Sequence, residues 1–524
     1  MGADKRNGHI IPIRWRSLRD RGYRRKKGRH QPMPGSRLLK VLRGMRRLTA
    51  RAFRHDVAKL STGPIVAIAC AGALTSAASP AFGQSPDSSV QIFNIRVPKV
   101  YNGRSKESVA VRVGIAHALH PEAGAEPIFV IESLGESGVE AAGSGLIASL
   151  QALGATHDLV FVDQRGTSLS PLLCPPVSAG APPTERTAPI LDATYLAKCR
   201  DSFERHDDLG DLNSRTFAED LESVRRKLGY KRIELIGYFY GTRIIQQYLA
   251  RWPKRVSAAV LADVSPMNYP AAEAEAGALS GSVESTLQAC HRDKACAARY
   301  PDLDSEWVRV SALLSAKQIA VPTDLNAAHG SAKVSGAGIL QWMKLRTLRW
   351  VGAASWPRDV DAIANGQLVP VVRQYVDYRR ATLASYSLAL RIAVDCAENM
   401  PRDGVLLPNS DEGIAAEQEA CANWPVHRLS RQFLRIPRTK IPVLAVTADF
   451  DIEAPASVVR RAFGRSPQVQ LVVFPNRARA TDVDWDDCMG PLVTAFLQAP
   501  GRARLDTSCA SRLKRPAFAI SDAQ

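Results

Sequence analysis

Hydrophobic and polar positions divide this chain into two kinds of stretch. In Val90–Val97 and Ser108–Leu119 they alternate, and Tyr101-Asn-Gly103 joins the two runs, so a period of two predicts an opening antiparallel pair. Pro127–Ile131, Asp158–Val162, Ala258–Ala262, Pro442–Val446 and Gln470–Phe474 are instead short and mostly apolar, the pattern of strands buried on both faces of a parallel sheet. Helical spacing separates them. Ser144–Leu153 reads as a crossover helix and Pro491–Leu497 as a last helix. Thr216-Phe-Ala-Glu219 reads as a capping box, followed by Phe217, Leu221, Val224 and Leu228 on one face and by Gly229 as a stop. From about 270 to 430 strand and helix no longer alternate, and a mainly helical pattern takes over, as in Gly336–Leu345 and Leu368–Leu390. This order predicts an α/β fold with a mostly parallel central sheet, helices on both faces and an inserted helical cap. The expected division is 84–270 for the first half of the core, 271–432 for the cap and 433–524 for the second half.

One stretch organises the rest. Ile233-Glu-Leu-Ile ends an apolar run, and Ile244, Ile245, Tyr248, Leu249 and Trp252 continue at helical spacing. Gly237-Tyr-Phe-Tyr-Gly241 lies between them, in the strand-turn-helix context of a G-x-S-x-G nucleophile elbow. The central position of such a turn holds a serine in a hydrolase; here it is Phe239, which has no atom able to attack a carbonyl. Tyr238 and Tyr240 carry hydroxyls but are expected to be packing residues.

In an elbow enzyme the acid and the histidine follow in that order, each after a strand. Pro442–Val446 leads into Asp451, the candidate acid, with Asp449 as second choice. The next strand leads into Pro475-Asn-Arg-Ala-Arg479, which contains no histidine, and the last histidine of the chain, His427, precedes Asp451. An arginine cannot take its place as base, because a guanidinium keeps its protons.

Together, Asp163-Gln-Arg-Gly-Thr167, Tyr240-Gly-Thr-Arg243, Cys396-Ala-Glu398, Asp451 with Pro455, and Asp506-Thr-Ser-Cys509 resemble the exported tripeptidyl-aminopeptidase and proline-iminopeptidase group of α/β-hydrolases, with its characteristic C-terminal segment. The resemblance spans most of residues 90–515. It implies an α/β-hydrolase fold and places the family's nucleophile on Phe239, its acid on Asp451 and its base on Arg479. Its oxyanion loop falls on Glu132, Ser133, Leu134 and Gly135, with Tyr240 completing that site; only Gly135 keeps the family residue, and Glu132 brings a carboxylate to where negative charge would develop. Ser168 stands where the family usually has glycine, and Glu398 falls where the amino terminus of a peptide would be recognised. The resemblance therefore implies a pseudo-hydrolase whose pocket could bind a peptide or small ligand. The competing readings are an active hydrolase that borrows a cap histidine (His291, His329 or His427) and a module that interacts through its surface. An Asp451–Arg479 ion pair in place of an Asp–His pair is a further expectation.

Charge and cysteines change the picture at the ends. Residues 1–60 hold 19 Lys/Arg against 3 Asp/Glu and so carry almost all of the formal charge of +18, leaving no electrostatic case for a nucleic-acid partner of the remainder. The run from Leu60 to Pro86 has no charged residue, contains the apolar Pro64–Leu74 and ends near Ala81-Phe-Gly83. It reads as a secretory signal cut after Gly83, which predicts export to the periplasm or the cell exterior with no membrane anchor left. Eight cysteines remain after Cys70, and their clustering suggests the bridges Cys174–Cys199, Cys290–Cys296, Cys396–Cys421 and Cys488–Cys509. No metal site or cofactor is expected. Asp482, Asp484 and Asp486 alternate as in a calcium loop, but the positions for its glycine and its distal glutamate hold Asp487 and Val493, so a solvated acidic loop is expected.

Overall fold

The computed structural model describes residues 90–103, 106–169, 171–203, 209–269, 271–322, 331–400, 412–451, 455–483, 485–501 and 504–520. The expected signal and its cleavage position lie outside these residues, as does His329. The described strands are β1 (Gln91–Pro98), β2 (Ser108–Ala116), β3 (Ile128–Ile131), β4 (Leu159–Val162), β5 (Ile233–Tyr238), β6 (Val256–Ala262), β7 (Ile319–Pro322), β8 (Ser331–Val334), β9 (Val443–Ala448) and β10 (Val469–Phe474). Eight of them form one sheet in the order β1-β2-β4-β3-β5-β6-β9-β10. The β1–β2 and β2–β4 pairs are antiparallel, and from β4 to β10 every pair is parallel. The apolar runs explain this: β3, β4, β5 and β9 are buried at every position, because helices cover both faces.

One face packs against the helices Ser214–Lys227 and Tyr240–Arg251 through Phe217, Leu221, Ile244 and Tyr248. The other packs against Gly490–Gln498 and the irregular helical stretch that begins at Gly138. That stretch starts earlier than the sequence pattern predicts, since Ser137 Oγ accepts from Glu140 N (3.1 Å), and it is interrupted where Gly145 adopts φ 125°. The capping box is also displaced. Asn213 caps the helix, accepting from Thr216 N at 3.0 Å, so Thr216 lies inside the first turn. Gly229 ends it at φ 79°, as expected.

Between β6 and β9 the chain leaves the sheet for a largely helical region with its own apolar core, built around Trp356, Tyr375, Trp342 and Met343. The predicted helix Leu368–Leu390 is two helices, Leu368–Ser385 and Leu388–Glu398, separated by Tyr386 and Ser387. The hairpin β7–β8 in this region has no counterpart in the expected pattern. Cys174–Cys199, Cys290–Cys296, Cys396–Cys421 and Cys488–Cys509 are bridged, with Cα–Cα separations of 4.8, 5.1, 5.1 and 5.4 Å.

Beyond Ser511 the chain crosses from core to cap. Leu513 O and Lys514 O accept from Asn476 Nδ2 (3.2 Å) and Arg477 Nη1 (2.6 Å) in the core. The Arg515 guanidinium lies over both Phe450 (4.7 Å) and Trp350 (5.0 Å). Phe518 is buried in the cap core, 5.3 Å from Trp350 between ring centroids, and Ala519 exchanges hydrogen bonds with Ala354 O (3.0 Å) and Tyr300 Oη (3.1 Å). Among the described residues, no helix is long and apolar enough to cross a membrane.

Candidate functional site

Phe239 follows β5 directly and precedes the helix Tyr240–Arg251, at φ 48° and ψ −114°. A bulky residue at positive φ is strained by about 1–3 kcal/mol, so the surroundings must hold it there. They do so on both sides. Phe239 N donates to Ala262 O (3.0 Å) on β6, and Phe239 O accepts from Thr242 N (3.0 Å) and Thr242 Oγ1 (2.5 Å). A Cβ on Gly237 would press on Ile245 and the Gly241 backbone, and one on Gly241 would press on the carbonyls of Ile131 and Glu132. The turn is therefore a true elbow, with a phenyl ring at its apex.

The Phe239 ring is half-buried and faces a cavity of about 240 Å³ whose wall includes Ser133, Leu134, Arg349, Tyr386, Asp451 and Arg479. The Arg479 guanidinium carbon lies 4.6 Å from the ring centroid, and that of Arg349, from the cap, lies 5.7 Å from it. Asp451 is buried just beyond β9, with its N–H 3.4 Å from Ala448 O. Phe239, Asp451 and Arg479, placed by sequence order at the nucleophile, acid and base positions, thus share one cavity wall. Asp449, the second choice for the acid, braces the strand ends instead: its N–H donates to Phe474 O (3.0 Å) and its Oδ1 accepts from Arg477 N (3.4 Å).

An acid that sequence order does not mark stands nearby. Asp263 follows β6 at φ 50° and is fully enclosed; it accepts from Ala480 N (2.5 Å), Thr481 N (3.1 Å) and Thr481 Oγ1 (2.6 Å). Burial pushes its carboxyl up, while the Arg479 charge and these donors pull it down. Asp263 thereby fixes the loop that carries Arg479. Its one sequence signal is a carboxylate directly after the apolar run Ala258–Ala262.

The loop after β3 brings Ser133 and Leu134 to the cavity, and Gly135 (φ 78°) lies under Tyr386, whose ring a Cβ there would meet at 3.1 Å. The backbone of this loop is clamped by Gln164 Nε2, which donates to Glu132 O and Ser133 O, both at 3.0 Å. Asp163 holds the next turn through Ser137 Oγ (2.8 Å) and Val139 N (3.1 Å), and it also accepts from Ser168 Oγ, which accounts for a hydroxyl at that position. Glu132 is not part of the cavity wall; its Cγ lies beside Gly138, and its Oε2 accepts from Ser133 N (3.4 Å). A backbone N–H that could serve an oxyanion is thus directed at a carboxylate. Burial, then repulsion from Glu136, raises the Glu132 carboxyl to about 7.

Glu398 does not line the cavity. It is buried, and its carboxylate accepts from Ser214 N (2.5 Å), Tyr240 Oη (2.9 Å) and Arg243 Nη1 (3.5 Å). It joins a cap helix to two core helices, so the expectation that it meets a peptide's amino terminus gives way to an internal hub. Tyr240 is correspondingly a packing residue, its hydroxyl pushed up by burial and by Glu398. Asp482 is not the solvated carboxylate expected of an acidic loop. It is half-buried, accepts from Arg479 N (3.1 Å) and is bonded by the Trp350 backbone at the start of a cap helix. Among the described residues, no group of three or more His, Cys, Asp or Glu is arranged to hold a metal ion.

The described histidines lie elsewhere: His291 pairs with Asp304 (2.6 Å) and His427 with Asp211 (3.0 Å), and no described histidine lines the cavity around Phe239.

Over 417 residues the chain is 23% identical to the serine protease Hip1 of Mycobacterium tuberculosis and of Mycobacterium bovis, covering 69% of this chain and 76% of the relative. Among solved structures it is similar to the proline iminopeptidase of Mycobacterium smegmatis (14% identity, TM-score 0.35, 78% of this chain and 98% of that one). It is also similar to a 2-hydroxy-6-oxo-6-phenylhexa-2,4-dienoate hydrolase of Rhodococcus (14%, TM-score 0.36, 78% and 100%). The family profile described as alpha/beta hydrolase fold matches residues 126–479, from just before β3 to the arginine beside Phe239. With that match, the eight-stranded sheet and the elbow, this chain belongs to the α/β-hydrolase family.

Proposed function

We propose that this chain is a peptidase-like α/β-hydrolase that has lost acyl-enzyme chemistry and uses the cavity between core and cap to bind a ligand. The observation that supports this best is the elbow: its apex is Phe239, and the residue packed on that ring from the base position is Arg479. A ring carbon cannot attack a carbonyl, and a guanidinium cannot accept the proton of a nucleophile. Loss of the serine or histidine of such a triad costs on the order of 10⁶-fold in turnover, equivalent to about 8 kcal/mol of barrier. The Ser133 N–H directed at Glu132 weakens the oxyanion site as well. Export, suggested by the leader and consistent with four disulfides, belongs to the same reading.

The test is peptidase and ester turnover by the purified chain beside the double variant Phe239→Ser, Arg479→His. The expected outcome is an inert native chain and measurable turnover by the variant. Native turnover on either substrate class would sink the proposal and turn attention to groups such as Ser133.

A further inference from the structure

The arginines around the cavity are not equivalent. Arg243 is saturated: its guanidinium donates to Ser265 Oγ (2.9 Å), Asn399 Oδ1 (2.6 Å), Pro266 O (3.2 Å) and Tyr269 O (2.9 Å), beside Glu398. Arg391 pairs with Asp395 (3.3 Å) and Glu417 (3.7 Å). Arg349 differs, because its guanidinium makes no ion pair within 4.0 Å and no hydrogen bond with any described residue. It projects from the cap at an exposed position and reaches the same phenyl ring that Arg479 covers from the core, so the two guanidinium carbons lie within about 10 Å of one another.

The acids nearby do not neutralise Arg349 by contact. Asp482 receives the Arg479 and Trp350 backbone N–H groups, and Asp263 receives those of Ala480 and Thr481. Glu136 acts on Arg349 only through its field. Two like charges brought to one ring from two separate parts of the fold are favourable when an anion can lie between them, and the planar fork of a guanidinium matches a carboxylate.

The geometry points to a carboxylate-binding site at Phe239, in which Arg349 of the cap and Arg479 of the core grip the free carboxylate of a small ligand or peptide C-terminus. This rests on the proposal that the cavity binds rather than cleaves, and it reverses the polarity expected of a site for a peptide's amino terminus. Phe239 then acts as the spacer on which both guanidinium groups rest, and binding draws cap and core together.

The experiment uses the full chain and a set of N-acetyl dipeptides with free C-terminal carboxylates, compared with the same dipeptides as C-terminal amides and with phenyl phosphate. Binding is read by calorimetry and by the rise in Tm. Free acids are expected to bind and amides to fail. Arg349→Gln should weaken the free acids by roughly ten- to a hundredfold, with the unliganded Tm unchanged because Arg349 is exposed. Arg349→Lys should fall between. Equal binding of acids and amides, an unaltered affinity in Arg349→Gln, phosphate binding without carboxylate binding, or no binding by any free acid would each overturn the assignment. Cleavage of the amides would instead overturn the non-catalytic reading, so the two failures are distinguishable.

Discussion

The loop Asp163–Thr167 and the elbow cavity follow β4 and β5, which flank β3 on its two sides, yet they are built on opposite principles. In the loop, Arg165 forms a buried pair with Asp220 (2.8 and 2.5 Å), adds bonds to Lys99 O and Pro98 O, and shares Asp220 with the Tyr101 hydroxyl. Its charges end on partners within the chain. At the elbow, two guanidinium groups meet a phenyl ring, the enclosed Tyr238 hydroxyl has no hydrogen-bond partner among the described residues, and the half-buried Glu132 has its carboxyl raised to about 7. The first arrangement holds strands and loops in register and is indifferent to catalysis. The second places an aromatic ring and two guanidinium groups at the elbow of a hydrolase backbone. Scaffold and reactive groups are therefore separable: the steric demands at Gly237 and Gly241 persist whatever stands at 239.

The largest effect should come from the satisfied region. Arg165→Ala leaves Asp220 buried without its cation, and chemical denaturation should show a loss of about 3–5 kcal/mol. A loss below 1 kcal/mol would mean that the loop is no more constrained than the cavity.

The next concerns Glu132. Its folded carboxyl is raised from 4.5 to about 7, so folding favours the protonated form; the associated stability is full below about pH 4.5 and is lost as pH rises through 7. Glu132→Gln removes that dependence and should stabilise the protein at pH 8 by at most about 3 kcal/mol, with no gain at pH 4. Glu234, raised to about 8 by burial and by Glu126, keeps a slope of the same sign in the variant. A gain that is the same at both pH values would contradict a buried, proton-binding Glu132.

The smallest effect sharpens the comparison within the elbow itself. Gly241→Ala should cost about 1–3 kcal/mol, because its methyl meets strand carbonyls. Phe239→Ser should change stability by less than about 1 kcal/mol, relief of strain offsetting lost ring contacts. The Tm values of the two variants, side by side, test whether backbone or side chain carries the constraint.

What could be read from sequence follows the same division. The strands were legible because burial on both faces leaves uninterrupted apolar runs, and the elbow because two glycines flank a strand–helix junction. Asp451 and Arg479 could be placed because chain order after β9 and β10 is a topological property. Contacts made at a distance were not legible. Nothing near Glu398 signals that Ser214 and Tyr240 will claim its carboxylate, and nothing near Arg349 marks it as the cap residue that reaches Phe239. Asn213 displaced Thr216 as helix cap because either residue type can fill that role and only the backbone decides. The β7–β8 hairpin escaped because Ser331-Ala-Lys-Val334 is neither an apolar run, as the equally short β3 and β4 are, nor long enough to show alternation.

The crossing made by residues 513–519 also dictates an order of events. Phe518 closes the core of a region whose other members precede β9, so that core lacks one of its buried aromatic rings until the chain has passed through both β9 and β10. The cap is thus completed by a segment that follows the whole sheet in the chain. A chain cut before residue 513 would uncover Trp350, which Arg515 and Phe518 cover, so this crossing is the step that closes the cap core against the sheet domain.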